Sequence, residues 1–126
     1  MTAIYQPVVF PDAVEVVIDY LATAMPTISA HRQVPTTRPA QWLRVLRTGG
    51  VLATPVTDAA QITIEAWADS ASAANDLAQL ARAHLNASLG VISYKVEELG
   101  GPADMPDLES QQQRYTFTSI VHIRGN

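Results

Sequence analysis

The sequence predicts an α+β fold, in which a mixed or antiparallel β-sheet is packed by two helices at roughly residues 12–24 and 70–89. Both helical segments lack Gly and Pro, and both repeat apolar residues at helical spacing. The segments between and after them alternate apolar with polar residues, which is typical of strands with one buried face. Gly and Pro residues separate these strands, and the chain length fits a single domain, 1–126.

The first helix is predicted to begin after Asp12, whose side chain can accept a hydrogen bond from a backbone N–H of the first turn. The valines of the run also suit a strand, but its length and the acidic Glu15 near its start favour a helix. Met25 precedes a proline and is therefore disfavoured in the α conformation, so the helix is expected to end there. Its apolar face comprises Ala13, Val17, Tyr20, Leu21 and Ala24.

The second helix is predicted to begin at Asp69-Ser70 and to run to about Leu89, where Gly90 takes the position after the last turn. Most residues of its apolar stripe are alanines, so the helix can lie close against a sheet. The stripe comprises Ala74, Leu77, Ala78, Ala81 and Leu85.

Six segments have the pattern of strands, and residues 61–68 make the best central strand because their alternation is the most regular. Gly49-Gly50 predicts a tight hairpin turn, and Gly100-Gly101 predicts a second turn that leads into an acidic loop ending at Glu109. The six segments are 27–34, 41–47, 51–56, 61–68, 91–98 and 114–124.

Composition and charge disfavour several classes of function. The net charge of −4, with one lysine and seven arginines, argues against tight binding to a nucleic-acid backbone. The absence of cysteine excludes disulfides and thiolate metal sites. The sequence shows neither a signal peptide nor an apolar run long enough to span a bilayer, so a soluble protein is expected.

No motif for catalysis or for cofactor binding stands out. The two Gly-Gly pairs lack the other glycines and the lysine of a phosphate-binding loop. His31, His84 and His122 lie far apart in sequence, so no metal site is predicted. We therefore expect no cofactor and a protein that is not an enzyme.

Trp42 and Trp67 each share a predicted strand face with a charged residue, Arg44 and Glu65 respectively. Two interpretations remain open. Either the tryptophans pack within the subunit under a helix or loop, or at least one of them contacts another subunit, as tryptophan beside arginine often does.

The succession of short motifs along the chain resembles the tail terminators of long-tailed (siphovirus) phages that infect actinobacteria, such as mycobacteriophages. The resemblance covers residues 10–125, and it lies in the order and spacing of the motifs. The motifs are Pro11-Asp12-Ala13-Val14, Val34-Pro35, Arg38-Pro39, Arg47-Thr48-Gly49-Gly50, Glu65-Ala66-Trp67-Ala68, Gly101-Pro102, Pro106-Asp107, Arg114-Tyr115-Thr116-Phe117-Thr118 and Ile123-Arg124-Gly125.

The resemblance implies a structural role in the virion, after assembly in the host cytoplasm. Tail terminators form homo-oligomeric rings, typically hexamers, that cap the tail tube and stop its polymerisation. One ring face binds the tail tube protein, the other joins the head–tail connector or neck protein, and DNA passes through the lumen without specific binding. The family has no catalytic residues to transfer to this chain.

A ring requires two different complementary patches on each subunit. Three arginines could meet three acidic residues of a neighbouring subunit, and charge reversal at Arg44 or Arg47 is then expected to weaken assembly. With the two tryptophans, the predicted subunit interface comprises Arg38, Trp42, Arg44, Arg47, Trp67, Asp104, Asp107 and Glu109.

Alternative functions remain open at this stage. Another head–tail joining protein, such as a stopper, an adaptor or a tail-completion factor, would share the small size and the ring. A small α+β enzyme or ligand-binding domain would instead need polar side chains that converge in a pocket.

Overall fold

The computed structural model describes residues 6–125 and shows the α+β fold that the sequence predicts. Two helices pack against a five-stranded mixed sheet of order β1-β2-β3-β5-β4. β1 is parallel to β2, and the other neighbouring strands are antiparallel. In chain order the elements are α1 (Ala13–Ala24), β1 (Ser29–His31), β2 (Trp42–Thr54), β3 (Thr57–Ala68), α2 (Ala71–Asn86), β4 (Lys95–Asp104) and β5 (Gln113–Arg124).

The predicted cap residues begin both helices. The Asp12 side chain accepts a hydrogen bond from Val14 N at 3.1 Å, and the Ser70 hydroxyl accepts one from Ala73 N at 3.1 Å. The second helix is shorter than predicted, because its last turn ends at Asn86 rather than near residue 89.

The core lies between the two helices and one face of the sheet. The alternation in residues 61–68 is confirmed, since Ile62, Ile64 and Ala66 are fully buried against the helices. Phe117 and Val121 of β5 continue the same layer. β3 lies at the centre of the sheet, with β2 on one side and β5 on the other.

The prediction of a hairpin turn at Gly49-Gly50 is wrong. Both glycines lie inside β2, which continues to Thr54, and the chain turns at residues 55–56 instead. The glycines have positive φ angles and coincide with a register shift between Arg47 and Gly49, which is the geometry of a β-bulge. Glycine therefore bends the strand here instead of ending it.

The Gly100-Gly101 pair also lies within a strand. β4 begins at Lys95, four residues later than predicted, and it runs through both glycines to Asp104 with two register shifts. The predicted acidic loop is therefore shorter, and it starts after Asp104. The first predicted strand is shorter too, because only residues 29–31 pair with β2.

Most of β2 forms a free edge of the sheet. β1 pairs only with residues 42–44 of β2, so in residues 6–125 no strand pairs with the outer side of residues 45–54. Beyond Leu46 every residue of β2 is exposed. No helix in the described part of the chain is both long and apolar enough to cross a membrane.

We expect Gly50→Ala to destabilise the protein by about 1–3 kcal/mol, because its φ of +114° strains any residue with a Cβ. The added Cβ would also lie 2.8 Å from Gln61 N and in contact with Ala59 O. Chemical denaturation measures the free energy of unfolding. Gly100→Ala is the matched control, since a Cβ there meets nothing within 4 Å, and we expect a change within about 0.5 kcal/mol. Equal stability of the two variants would contradict the tight bulge at Gly50.

Candidate functional site

Trp42 and Trp67 stack on each other on the outer face of the sheet, opposite the helices. The two residues pair across β2 and β3, and their ring centroids lie 5.1 Å apart with planes within 5° of parallel. Trp42 is 0% exposed and Trp67 is 3% exposed. Of the two interpretations of the tryptophans, the structure shows packing within the subunit for both rings.

Two arginines lie over the tryptophan pair, and one of them contacts Glu65. The guanidinium of Arg38 lies 5.0 Å from the ring centroid of Trp67 and 5.8 Å from that of Trp42, and Arg114 lies 5.0 Å from Trp67. Glu65 lies between Arg114 and a further arginine, Arg44, with nitrogen–oxygen distances of 3.6 Å and 3.8 Å. We call Arg38, Trp42, Glu65, Trp67 and Arg114 the Arg–Trp cluster.

Gln112 joins the Arg–Trp cluster to the loop before β2. Its side-chain oxygen accepts a hydrogen bond from Trp42 Nε1 at 3.0 Å, and its side-chain nitrogen donates to Pro39 O at 2.9 Å. One buried amide thus satisfies an indole N–H and holds the loop that carries Arg38. The two bonds span 70 and 73 residues of sequence, so local spacing does not indicate the role of Gln112.

The predicted arginine cluster divides into two places. Arg38 and Arg44 belong to the region around the tryptophans, whereas Arg47 pairs with Asp58 at the far end of the β2–β3 hairpin. Both Arg47–Asp58 hydrogen bonds measure 2.7 Å, and this pairing raises the pKa of Arg47. Charge reversal at Arg47 or Arg44 would therefore break a contact within the chain and is expected to lower its stability as well.

Only one of the predicted acidic partners contacts a predicted arginine in the same chain. Asp107 lies 3.8 Å from Arg38. The backbone N–H of Glu109 donates to the Asp107 carboxylate and, with Ser110, lowers its pKa. Asp104 and Glu109 are exposed and form no ion pair with any residue between 6 and 125. Their assignment to a subunit interface stays a prediction.

Exposed apolar residues gather near both ends of the β4–β5 hairpin, and sequence patterns missed them. Leu89, Val91 and Tyr94 lie in the loop before β4, and Met105 and Leu108 lie in the loop after it. Residues 91–94 were predicted to belong to a strand, where alternation would have buried half of them. The position of Leu108 within a loop of acidic residues is the one sequence feature that indicates an exposed apolar side chain here.

A chain of polar contacts joins β4 to β5. His122 Nε2 lies 3.1 Å from a carboxylate oxygen of Glu97, and His122 Nδ1 lies 3.4 Å from the hydroxyl of Tyr94. Lys95 and then His122 lower the pKa of Glu97 by hydrogen bonding to its charged form. Within residues 6–125, no three histidine or carboxylate side chains are grouped to hold a metal ion.

The cavity beside α1 is apolar. It has a volume of about 450 Å³ and lies between α1 and the loop after α2. Its lining is mainly Val16, Tyr20, Val91 and Ile92, and Asp19 is the one charged residue among those that line it. This lining does not offer the converging polar groups that orient a substrate.

No protein-family model matches the chain, and no curated protein matches it in sequence.

We expect Gln112→Leu to destabilise the protein by about 1–3 kcal/mol, because it leaves the buried Trp42 N–H without its acceptor. Urea denaturation followed by tryptophan fluorescence measures the change. Gln111→Leu is the matched control, since Gln111 is the exposed neighbour of the same residue type. If both variants lost the same stability, the Gln112 amide would not hold the cluster together.

Proposed function

We propose that the chain is a phage tail terminator. In this role its copies form a ring that caps the tail tube, stops its polymerisation and joins it to the head–tail connector. Two findings support the proposal. The order of motifs across residues 10–125 resembles that family, and the chain has an α+β fold in which several exposed apolar residues lie at the ends and edges of the sheet.

The main structural support for the proposal comes from the tip of the β2–β3 hairpin, residues 48–56, which we call the hairpin tip. It extends beyond β1 and contains no charged residue. Val51 is 69% exposed and Leu52 is 61% exposed, beside a free strand edge. Exposed apolar side chains next to unpaired strand N–H and C=O groups make a surface suited to another protein. We assign this tip to the contact with the tail tube protein.

The bulge in β2 fits a specific contact of this kind. A flat exposed strand edge pairs indiscriminately with other strands, and a bulge that twists the edge reduces such pairing. Gly49 and Gly50 place the bulge just before Val51 and Leu52. The bulge would thus let the tip bind a partner of complementary shape and would reduce nonspecific pairing with other strands.

The net charge suits a ring that lets DNA pass. At −4 the chain repels a phosphate backbone overall, and its arginines around the tryptophans are already placed against acids or aromatic rings of the same chain. In this proposal the chain resides in the tail or neck of the virion and has no enzymatic activity.

Virions assembled without this chain test the proposal. We expect tails of uncontrolled length, because nothing would stop the tube from polymerising, and electron microscopy measures the lengths. Wild-type chain supplied in trans should restore a uniform length. Normal tails detached from filled heads would contradict the terminator and favour a stopper or adaptor.

The same system tests the hairpin tip. A chain with Val51→Asp and Leu52→Asp should fail to restore uniform tails, because charge on the tip opposes burial against the tube. Leu80→Asp, at an exposed apolar position on α2, is the control that should restore them. Circular dichroism should show that all variants are folded.

A further inference from the structure

We infer that the two ends of the β4–β5 hairpin are complementary, so that one end of each copy binds the opposite end of the next copy. The inference rests on the proposed ring and names the surfaces through which its subunits meet. The first end is defined by Leu89, Val91, Tyr94 and Arg124, and the second by Asp104, Met105, Leu108 and Glu109.

The first end is apolar with two cations, Arg124 and Lys95, and the Lys95 ammonium lies 3.0 Å from the carboxylate of Glu97. Val91 is 70% exposed, and Leu89 and Tyr94 are each about half exposed. Arg124, the last residue of β5, is exposed and lines the same shallow depression as Val91 and Tyr94. In the described part of the chain Arg124 has no carboxylate within ion-pair distance.

The second end is apolar with two anions. Leu108 is 96% exposed, so almost none of its side chain contacts its own chain. Met105 is held in place, because its backbone N–H donates to Arg114 O at 2.9 Å, yet half of its side chain remains exposed. The exposed carboxylates of Asp104 and Glu109 flank these two apolar residues.

The two ends lie far apart on the same edge of the sheet. β4 and β5 are antiparallel, with Lys95 opposite His122 at one end and Asp104 opposite Tyr115 at the other. Ten residues of strand separate the ends by about 30 Å. One copy therefore cannot join its own two ends, and the first end of one copy is free to meet the second end of another.

Charge selects the head-to-tail arrangement. Two second ends would bring four carboxylates together, and two first ends would place Arg124 and Lys95 of one copy near those of the other. Only unlike ends pair Arg124 with Asp104 or Glu109 while apolar side chains meet in between. An interface between two different patches continues from copy to copy, and it closes into a ring when the rotation allows.

The three arginines that the sequence predicts for the interface are less suited to this contact. Arg47 is held by Asp58, Arg44 lies near Glu65, and Arg38 lies over the tryptophans and near Asp107. Using them in an interface would require these contacts to break. Arg124 has no ion pair to break among residues 6–125.

Disulfide trapping tests the contact directly, because the chain has no cysteine of its own. Val91→Cys and Leu108→Cys are made in separate chains, one with a mass tag, and the purified chains are mixed and mildly oxidised. We expect the 91–108 disulfide to form several-fold more than 91–91 or 108–108, as measured by intact-mass spectrometry. A single chain with both substitutions should give a ladder of oligomers.

Leu80→Cys mixed with Leu108→Cys is the matched control, because Leu80 is also an exposed apolar residue but lies on α2. A 91–108 yield no higher than the 80–108 yield would overturn the inference, as would a predominant 108–108 product. Arg124→Glu should lower the 91–108 yield, and Glu109→Arg in the partner should restore it.

The outcomes separate this inference from the proposed function. If the 91–108 disulfide forms specifically but virions lacking the chain have tails of uniform length, the contact between copies is supported and the terminator function is refuted. If tails have uncontrolled length but the 91–108 disulfide does not form, the terminator function is supported and the proposed contact between these two ends is refuted.

Discussion

The pairing of β3 on both sides is the constraint on which the rest of the structure depends. Every residue of β3, from Thr57 to Ala68, pairs with a residue of β5, and nearly all of them pair with β2. This register places Ile62 and Ile64 under the helices and Trp67 beside Trp42. A slip by one residue would exchange the two faces and expose the core.

The same pairing explains why the proposed binding surfaces lie at the edges and ends of the sheet. β3 is as long as its partners, but β1 covers only three residues of β2 and β4 has no further neighbour in the part of the chain that the structure describes. The hairpin tip and both ends of the β4–β5 hairpin are therefore left exposed. The face of the sheet opposite the helices is instead partly covered by the Arg–Trp cluster, which stabilises the sheet.

Sequence patterns predicted the features that depend on local order. Local sequence order is enough to predict the helix caps at Asp12 and Ser70. It is also enough to predict which face of residues 61–68 is buried. The prediction of a turn at Gly49-Gly50 is wrong because a Gly-Gly pair suits either a turn or a bulge. Which of the two forms depends on how far β3 extends as the pairing partner of β2. Likewise, opposite charges at Arg38 and Asp107 are visible in the sequence, but whether they meet within one chain depends on long-range packing.

We propose that copies of this chain form the ring that terminates the tail tube. A reconstruction of the virion's head–tail junction measures the position of the chain most directly. We expect one ring of this chain seated on the last ring of tube subunits, with the hairpin tip against the tube. A position one ring closer to the portal, with another protein between this chain and the tube, would contradict the claim.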